Sequence, residues 1–351
     1  MSNIYYSLNE KYLLGSLIYD LNDSNLNQNN NQNFNNITKI KKNNFYDLNK
    51  SSNSNRSTKD SSFIFLSKEE ILNSLQNQKS ALNLQSQIKN MNSTEIFHIF
   101  FELKGKFCDI IKDKNGNYFC NDLFNLLNEK QRFEILQEIS NEFLILANQN
   151  YSTHPIQTLI QLANTKEEIN FFNYIIKDEN SFKFLAMNQN GCFVIQKFLL
   201  FIPENQRTKI NYFFLKLLFE LSVDMYGVSI VKKFISYSND QFILNQILQI
   251  IINNFLQISQ NQYGNYLIQF LLEFFKDSKE LNIIKNLIFL NFYELACNNY
   301  SFHICESYIK LLTKKHKKIL LKNLSFNGLI YKLNNNKYGK FVIVKLKNIF
   351  N

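Results

Sequence analysis

The sequence has no tryptophan, two prolines and eight glycines among its 351 residues. Many short strands would need such turn formers between them, so their scarcity argues against a β-rich fold and for an all-α one. The five cysteines, Cys108, Cys120, Cys192, Cys297 and Cys305, are odd in number and form no CxxC pair. That argues against a disulfide framework or a zinc module, and fits small core residues in a reducing compartment. The four histidines, His98, His154, His303 and His316, show no HExxH spacing, and neither GxGxxG nor a P-loop occurs. No catalytic residue, metal ligand or cofactor is therefore expected, and an enzyme is the weakest reading. No apolar run reaches about 18 residues, and no basic segment leads into an apolar one at the start of the chain. These absences predict a soluble, cytoplasmic protein without membrane contact.

One further absence is local. Glu306 is the last acidic residue, and the 45 residues after it hold eleven lysines, which leaves 28 basic and 29 acidic residues before that point. The net charge of +10 is thus a C-terminal field. Such a field suits a polyanion, and Lys314, Lys315, Lys317 and Lys318 are expected to add affinity that ignores sequence, although a solvated lysine-rich helix is an ordinary alternative.

What is present is apolar: 45% hydrophobic and 15% aromatic residues, enough for a large core in two globular domains or one elongated array. Residues 1–62 carry Asn-rich and Ser/Asn/Lys tracts (27–36 and 50–62) with little periodicity, and read as a mostly disordered tail. Within it, residues 4–19 have enough apolar side chains for a short helix or a partner-binding segment. From residue 63 to 351, apolar helical segments alternate with short polar breaks, and one phrase recurs.

The clearest copy is Asn261-Gln-Tyr-Gly-Asn-Tyr-Leu-Ile-Gln269; others begin at Asn188, Lys114, Asp224 and Lys337. Three more, around Ser80, Ser152 and Ser301, put serine in place of glycine. The residue after the Gly/Ser falls at 81, 117, 153, 192, 228, 265, 302 and 340, at spacings of 36 to 39 residues, and five of the eight glycines occupy this one joint. A tight turn into a helix explains the joint, served by a residue lacking a β-carbon or by a capping serine. On a helical wheel Leu267, Ile268, Leu271 and Leu272 form one arc, and Asn265, Tyr266 and Gln269 share the opposite face. Each phrase follows another apolar segment, such as 211–221 or 242–256, so the unit is read as a helix pair of about 37 residues that stacks into a solenoid. The residue after each marker is Leu82, Tyr118, His154, Phe193, Ser229, Tyr266, His303 and Phe341, a flat ring in six of eight. Such a ladder beside polar residues suits bases that stack on rings while their edges are hydrogen-bonded.

At these residues the chain resembles a Pumilio (PUF) repeat protein, from about residue 63 to 350. The resemblance implies a right-handed α-solenoid, a crescent of about eight repeats, each reading one base of single-stranded RNA. It further implies that Asn with Gln one turn apart favours uracil, Cys or Ser with Gln adenine, and Ser with Glu guanine. Carried over, Asn265, Gln269 and Tyr266 resemble a uracil site, and Cys192, Gln196 and Phe193 an adenine site. Asn117, Asn121 and Tyr118 resemble a uracil site with a shortened amide, while Thr153, Gln157 and His154 form a further triad of unassigned base. Glu306, beside His303, sits where guanine is read, with Phe302 in place of the expected serine. Ala81 and Gln85 keep half an adenine pair, Val228 and Lys232 depart from every pairing, and Lys340 and Val344 resemble a C-terminal capping segment.

The resemblance implies a monomer that binds mRNA 3′ untranslated regions and acts, with protein co-regulators, on translation or mRNA stability. Two rivals stand beside it: a degenerate relative binding structured or ribosomal RNA non-specifically, and a HEAT- or armadillo-like scaffold binding protein.

Overall fold

In a computed structural model of the chain, residues 66–275 and 279–347 are described, all within one compact unit, Phe63–Asn351. The tail expected over residues 1–62, with its segment 4–19, lies outside them. The described residues form 23 α-helices and two 3-10 turns, and no strand occurs among them. No helix among the described residues is long and apolar enough to cross a membrane.

The repeating unit differs from the expected pair. From the second repeat on, the apolar segment before the marker is two helices: residues 211–221 fall in Thr208–Lys216 and Leu218–Ser222, and residues 242–256 fall in Gln241–Asn253 and Phe255–Ser259. In repeats six and seven the cause is local chemistry. The side-chain amides of Asn254 and Asn291 donate to the carbonyls of Ile250 and Leu287, both at 2.8 Å, competing with the helical ladder where it ends. Each complete unit therefore has a long first helix, a short second one and a third that carries the marker.

The eight third helices are Gln78–Ile88, Gly116–Phe124, Thr153–Leu162, Gly191–Phe201, Gly227–Tyr237, Asn265–Phe274, Phe302–Leu311 and Gly339–Lys347. Each packs against the next, so they form one unbroken row. In repeat six Leu267, Ile268, Leu271 and Leu272 are all buried, as the wheel requires, and the arcs Val194–Ile195–Phe198–Leu199 and Ile230–Val231–Phe234–Ile235 are buried likewise. Aromatic contacts fill the layer behind them, such as the parallel Phe214–Phe234 stack at 3.9 Å. The first helices of repeats three and four are tied by a covered ion pair, Arg132 Nε to Glu168 Oε1 at 2.9 Å.

The joint is fixed by packing rather than by unusual dihedrals. Gly264 has φ −62° and ψ −31°, open to any residue, but a β-carbon there would lie 2.3 Å from the Ile258 carbonyl oxygen six residues back. At Gly116 the same clash with Ile110 would be 2.4 Å. Where serine stands, its hydroxyl donates to that same carbonyl: Ser80 to Ser74 at 2.6 Å, Ser152 to Leu146 at 2.5 Å, Ser301 to Leu295 at 2.8 Å. These serines thus do not cap the helix, contrary to the sequence expectation. The amides entering the turn are met by an Asx side chain four residues before the marker; Asn261 Oδ1 accepts from Tyr263 N at 2.8 Å and Gly264 N at 3.0 Å. Asp113, Asn188, Asp224, Asn298 and Asn336 repeat the arrangement.

Candidate nucleic-acid interface

Because every third helix begins within two residues of the same joint, equivalent side chains recur at each step of the row. The six rings at Tyr118, His154, Phe193, Tyr266, His303 and Phe341 are all exposed, Tyr118 at 60% and Tyr266 at 55% of their surface. Other rings are more exposed still, Phe326 at 81% among them, so what sets these six apart is their shared register along the row.

The marker residues are placed differently from the wheel. Asn265 is 2% exposed and Asn117 1%, so they do not share an open face with their rings. The reason is the turn: Asn265 Nδ2 donates to the carbonyls of Asn261 and Gln262, both at 3.0 Å, and Asn117 does the same with Asp113 and Lys114 at 2.9 Å. The outer member of each pair is half-buried. Gln269 Nε2 donates to Asn265 Oδ1 at 2.9 Å, and Gln157 Nε2 to Thr153 Oγ1 at 3.2 Å. In repeat two the partner is one methylene shorter. Asn121 turns away to accept from Thr158 Oγ1 at 2.6 Å, and the buried Asn117 Oδ1 is left without a hydrogen bond.

Repeat four pairs Cys192 with Gln196. Burial pushes the Cys192 thiol up to about 11, so at neutral pH it is a neutral donor, engaged by the Gln189 carbonyl at 3.3 Å. Gln196 reaches forward instead, donating to Ser229 Oγ at 2.9 Å. In repeat seven Glu306 is held on both oxygens, by Lys345 Nζ at 3.0 Å and His303 Nδ1 at 3.2 Å. The Phe302 ring lies 3.8 Å from the ring of His303 and stacks on Tyr338 at 5.5 Å.

The C-terminal lysines divide. Lys314, Lys315, Lys317 and Lys318 stand on the first helix of repeat eight, Lys314–Phe326, outside the row of third helices, and Lys317 is buried. The lysines on or just before the last third helix are Lys337, Lys340, Lys345 and Lys347, with Lys337 over the Tyr338 ring and Lys340 over Phe341. Sequence reasoning also passed over Lys232 as an actor: its ammonium lies 5.7 Å from the centroid of Tyr266, one repeat on.

Three segments, residues 106–140, 183–210 and 254–288, match the Pumilio-family RNA binding repeat. The chain is similar to Pumilio homolog 11 of Arabidopsis thaliana, 28% identical over 158 residues that make up 44% of this chain and 28% of that protein. It is 24% identical over 180 residues to Pumilio homolog 12 of the same plant, 50% of this chain and 30% of the relative. The matched stretch thus spans under a third of these curated relatives. Among solved structures, the Puf4 RNA binding domain bound to an HO endonuclease RNA 3′ UTR recognition sequence shares the fold at a TM-score of 0.72 and 20% identity, over 78% of this chain and 85% of that one. The RNA-binding domain of yeast Puf5p bound to SMX2 RNA aligns at 0.65 and 20%, over 79% and 82%. Repeat matches, related sequences and a shared all-α repeat fold agree with the phrase that recurs at the joints: the chain carries Pumilio-family RNA-binding repeats.

Proposed function

We propose that the row of third helices binds single-stranded RNA with base selectivity, and that the targets are mRNA 3′ untranslated regions whose translation or stability the protein regulates in the cytoplasm. The observation that supports this most is the register of six exposed rings, each one residue from a marker and three from an amide, acid or apolar partner on the same helix. A base lying on such a ring brings its edge to the outer side chain of the pair. Asn265 and Gln269, with Tyr266, would hold a uracil; Cys192 and Gln196, with Phe193, an adenine. Asn117 and Asn121, with Tyr118, would take a uracil, and the unpartnered Asn117 Oδ1 is an acceptor whose burial costs about 1–3 kcal/mol until a donor meets it. Thr153 and Gln157, with His154, complete the reading stretch. The paired donors and acceptors now close on one another, so binding exchanges internal hydrogen bonds for bonds to bases.

The test is a binding series on short single-stranded RNAs varied at each position, with the wild type and an Asn265→Ser, Gln269→Glu double variant. The double variant is expected to move the preference at one position from uracil to guanine, since it installs the guanine pairing. Retained binding with an unchanged preference would show that this face does not read RNA. A salt series separates the rival, because non-specific binding responds to salt far more than to base substitution.

A further inference from the structure

The row is interrupted once within its length. In repeat five, Gly227–Tyr237, the two edge positions hold Val228 and Lys232, and the ring position holds Ser229. Val228 is apolar and buried, so it offers a base nothing to bond. The Ser229 hydroxyl is engaged on both sides, donating to the Tyr226 carbonyl at 2.6 Å and accepting from Gln196 at 2.9 Å. The repeats on either side, four and six, both keep an exposed ring and a glutamine. Lys232 is half-buried, and its ammonium sits over the Tyr266 ring, 5.7 Å from the centroid.

A base threaded into a row of rings stacks between successive ring positions. Between Ser229 and Tyr266 there is a ring on one side only, and a cation from repeat five lies over it. For a base to enter, the ammonium would have to leave the ring, and the base edge would then face Val228 with its polar atoms unpaired, a loss that water outside the slot does not impose. The phosphate of the same nucleotide has the opposite interest, because an ammonium beside it is a favourable point charge. We propose that Lys232 closes the slot of repeat five, so that bound RNA passes one nucleotide there with its base turned out and unread, held by charge alone. The motif read by this chain is then two blocks, one from repeats two to four and one from repeat six onward, around a degenerate position. The inference rests on the proposal that this row reads single-stranded RNA.

The experiment uses the full chain. An RNA recovered by the wild-type protein from a randomised single-stranded pool is synthesised with an abasic ribose at each position in turn, and each version is titrated. One internal abasic position is expected to cost less than about threefold, flanked by positions that each cost roughly five- to a hundredfold, the value of a stacked base. A Lys232→Ala variant identifies the position: opening the slot lets the base stack on Tyr266, so the cost of the abasic ribose there rises above the wild-type value. The variant also binds the RNA with the abasic ribose at that position more weakly than wild type does, and flattens the log–log salt slope by about one. Lys232→Gln, which keeps the length and drops the charge, guards against a folding artefact, and circular dichroism of both variants is compared with wild type. Sensitivity at every internal position, or a tolerant position that Lys232→Ala and Lys232→Gln leave unchanged, overturns the inference while leaving RNA reading intact. A pool that yields no enriched sequence overturns the proposed function, and this inference with it.

Discussion

Repeats six and seven are neighbours built on one plan, and they have been put to different use. In repeat six the marker helix starts at glycine, its ring at Tyr266 is exposed with only the Lys232 ammonium of repeat five over it, and Asn265 and Gln269 are bonded only to each other and to their own turn. In repeat seven the joint is Ser301, the marker is Phe302, and the acid that would read an edge is clasped by His303 and Lys345. The difference teaches that solenoid architecture and base reading are separable. The buried arc and the joint persist in both repeats, while the outer positions are free to be spent on inter-repeat contacts.

The joint gives the largest expected effect and the first way to break the comparison. Gly264→Ala sets a β-carbon against the Ile258 carbonyl, an overpacking that should cost about 1–3 kcal/mol. Ser301→Ala only removes a hydrogen bond to Leu295, a loss of about 1 kcal/mol. Chemical denaturation of the two variants measures both. Equal costs would mean that the joint tolerates a β-carbon in either repeat.

The rings come next. Tyr266→Ala should weaken RNA binding by about 1–3 kcal/mol whichever base is offered. His303→Ala should cost less, because the His303 ring already leans on Phe302 and its nitrogen is bonded to Glu306. Fluorescence anisotropy on one RNA with both variants checks the order, and a His303 loss as large as that of Tyr266 would show that repeat seven opens to take a base.

How much of this was legible from the sequence differs by layer. The period, the all-α class, the buried arc and the exposure of the rings follow from spacing and a 100° rotation per residue, and the structure carries them all. The break in the first helical segment was missed because Asn254 and Asn291 look like any polar residue in an Asn-rich chain until their amides are seen bonding back four residues. The burial of Asn117 and Asn265 was missed because a wheel has no ends: at the first residues of a helix the preceding turn covers a face that periodicity leaves open. An Asx four residues before the marker in seven of eight phrases was the available signal for that turn. The contacts of Lys232 and Lys345 cross from one repeat to the next, and no pattern within a repeat could announce them.

The smallest expected effect belongs to Glu306, and it sharpens the comparison most directly. Burial by itself would raise its carboxyl, but hydrogen bonds from Lys345 and His303, with their charges, outweigh burial and hold it below the usual carboxylate range. A pKa lowered by folding stabilises the folded chain at pH values above the carboxyl's unfolded pKa, and that contribution fades as pH falls through the lowered value. Lys345→Met should therefore raise the Glu306 pKa, read by carbon-detected NMR titration. At neutral pH it should cost well under about 1 kcal/mol, because the pair is partly in water. The stability difference between variant and wild type should shrink in acid, as the carboxyl becomes protonated in both. If Glu306 titrates identically in both proteins, Lys345 is not what holds it. If instead the released carboxylate brings a new preference for guanine at one RNA position, repeat seven is a reading repeat kept shut by its neighbour, and the contrast with repeat six reduces to a single lysine.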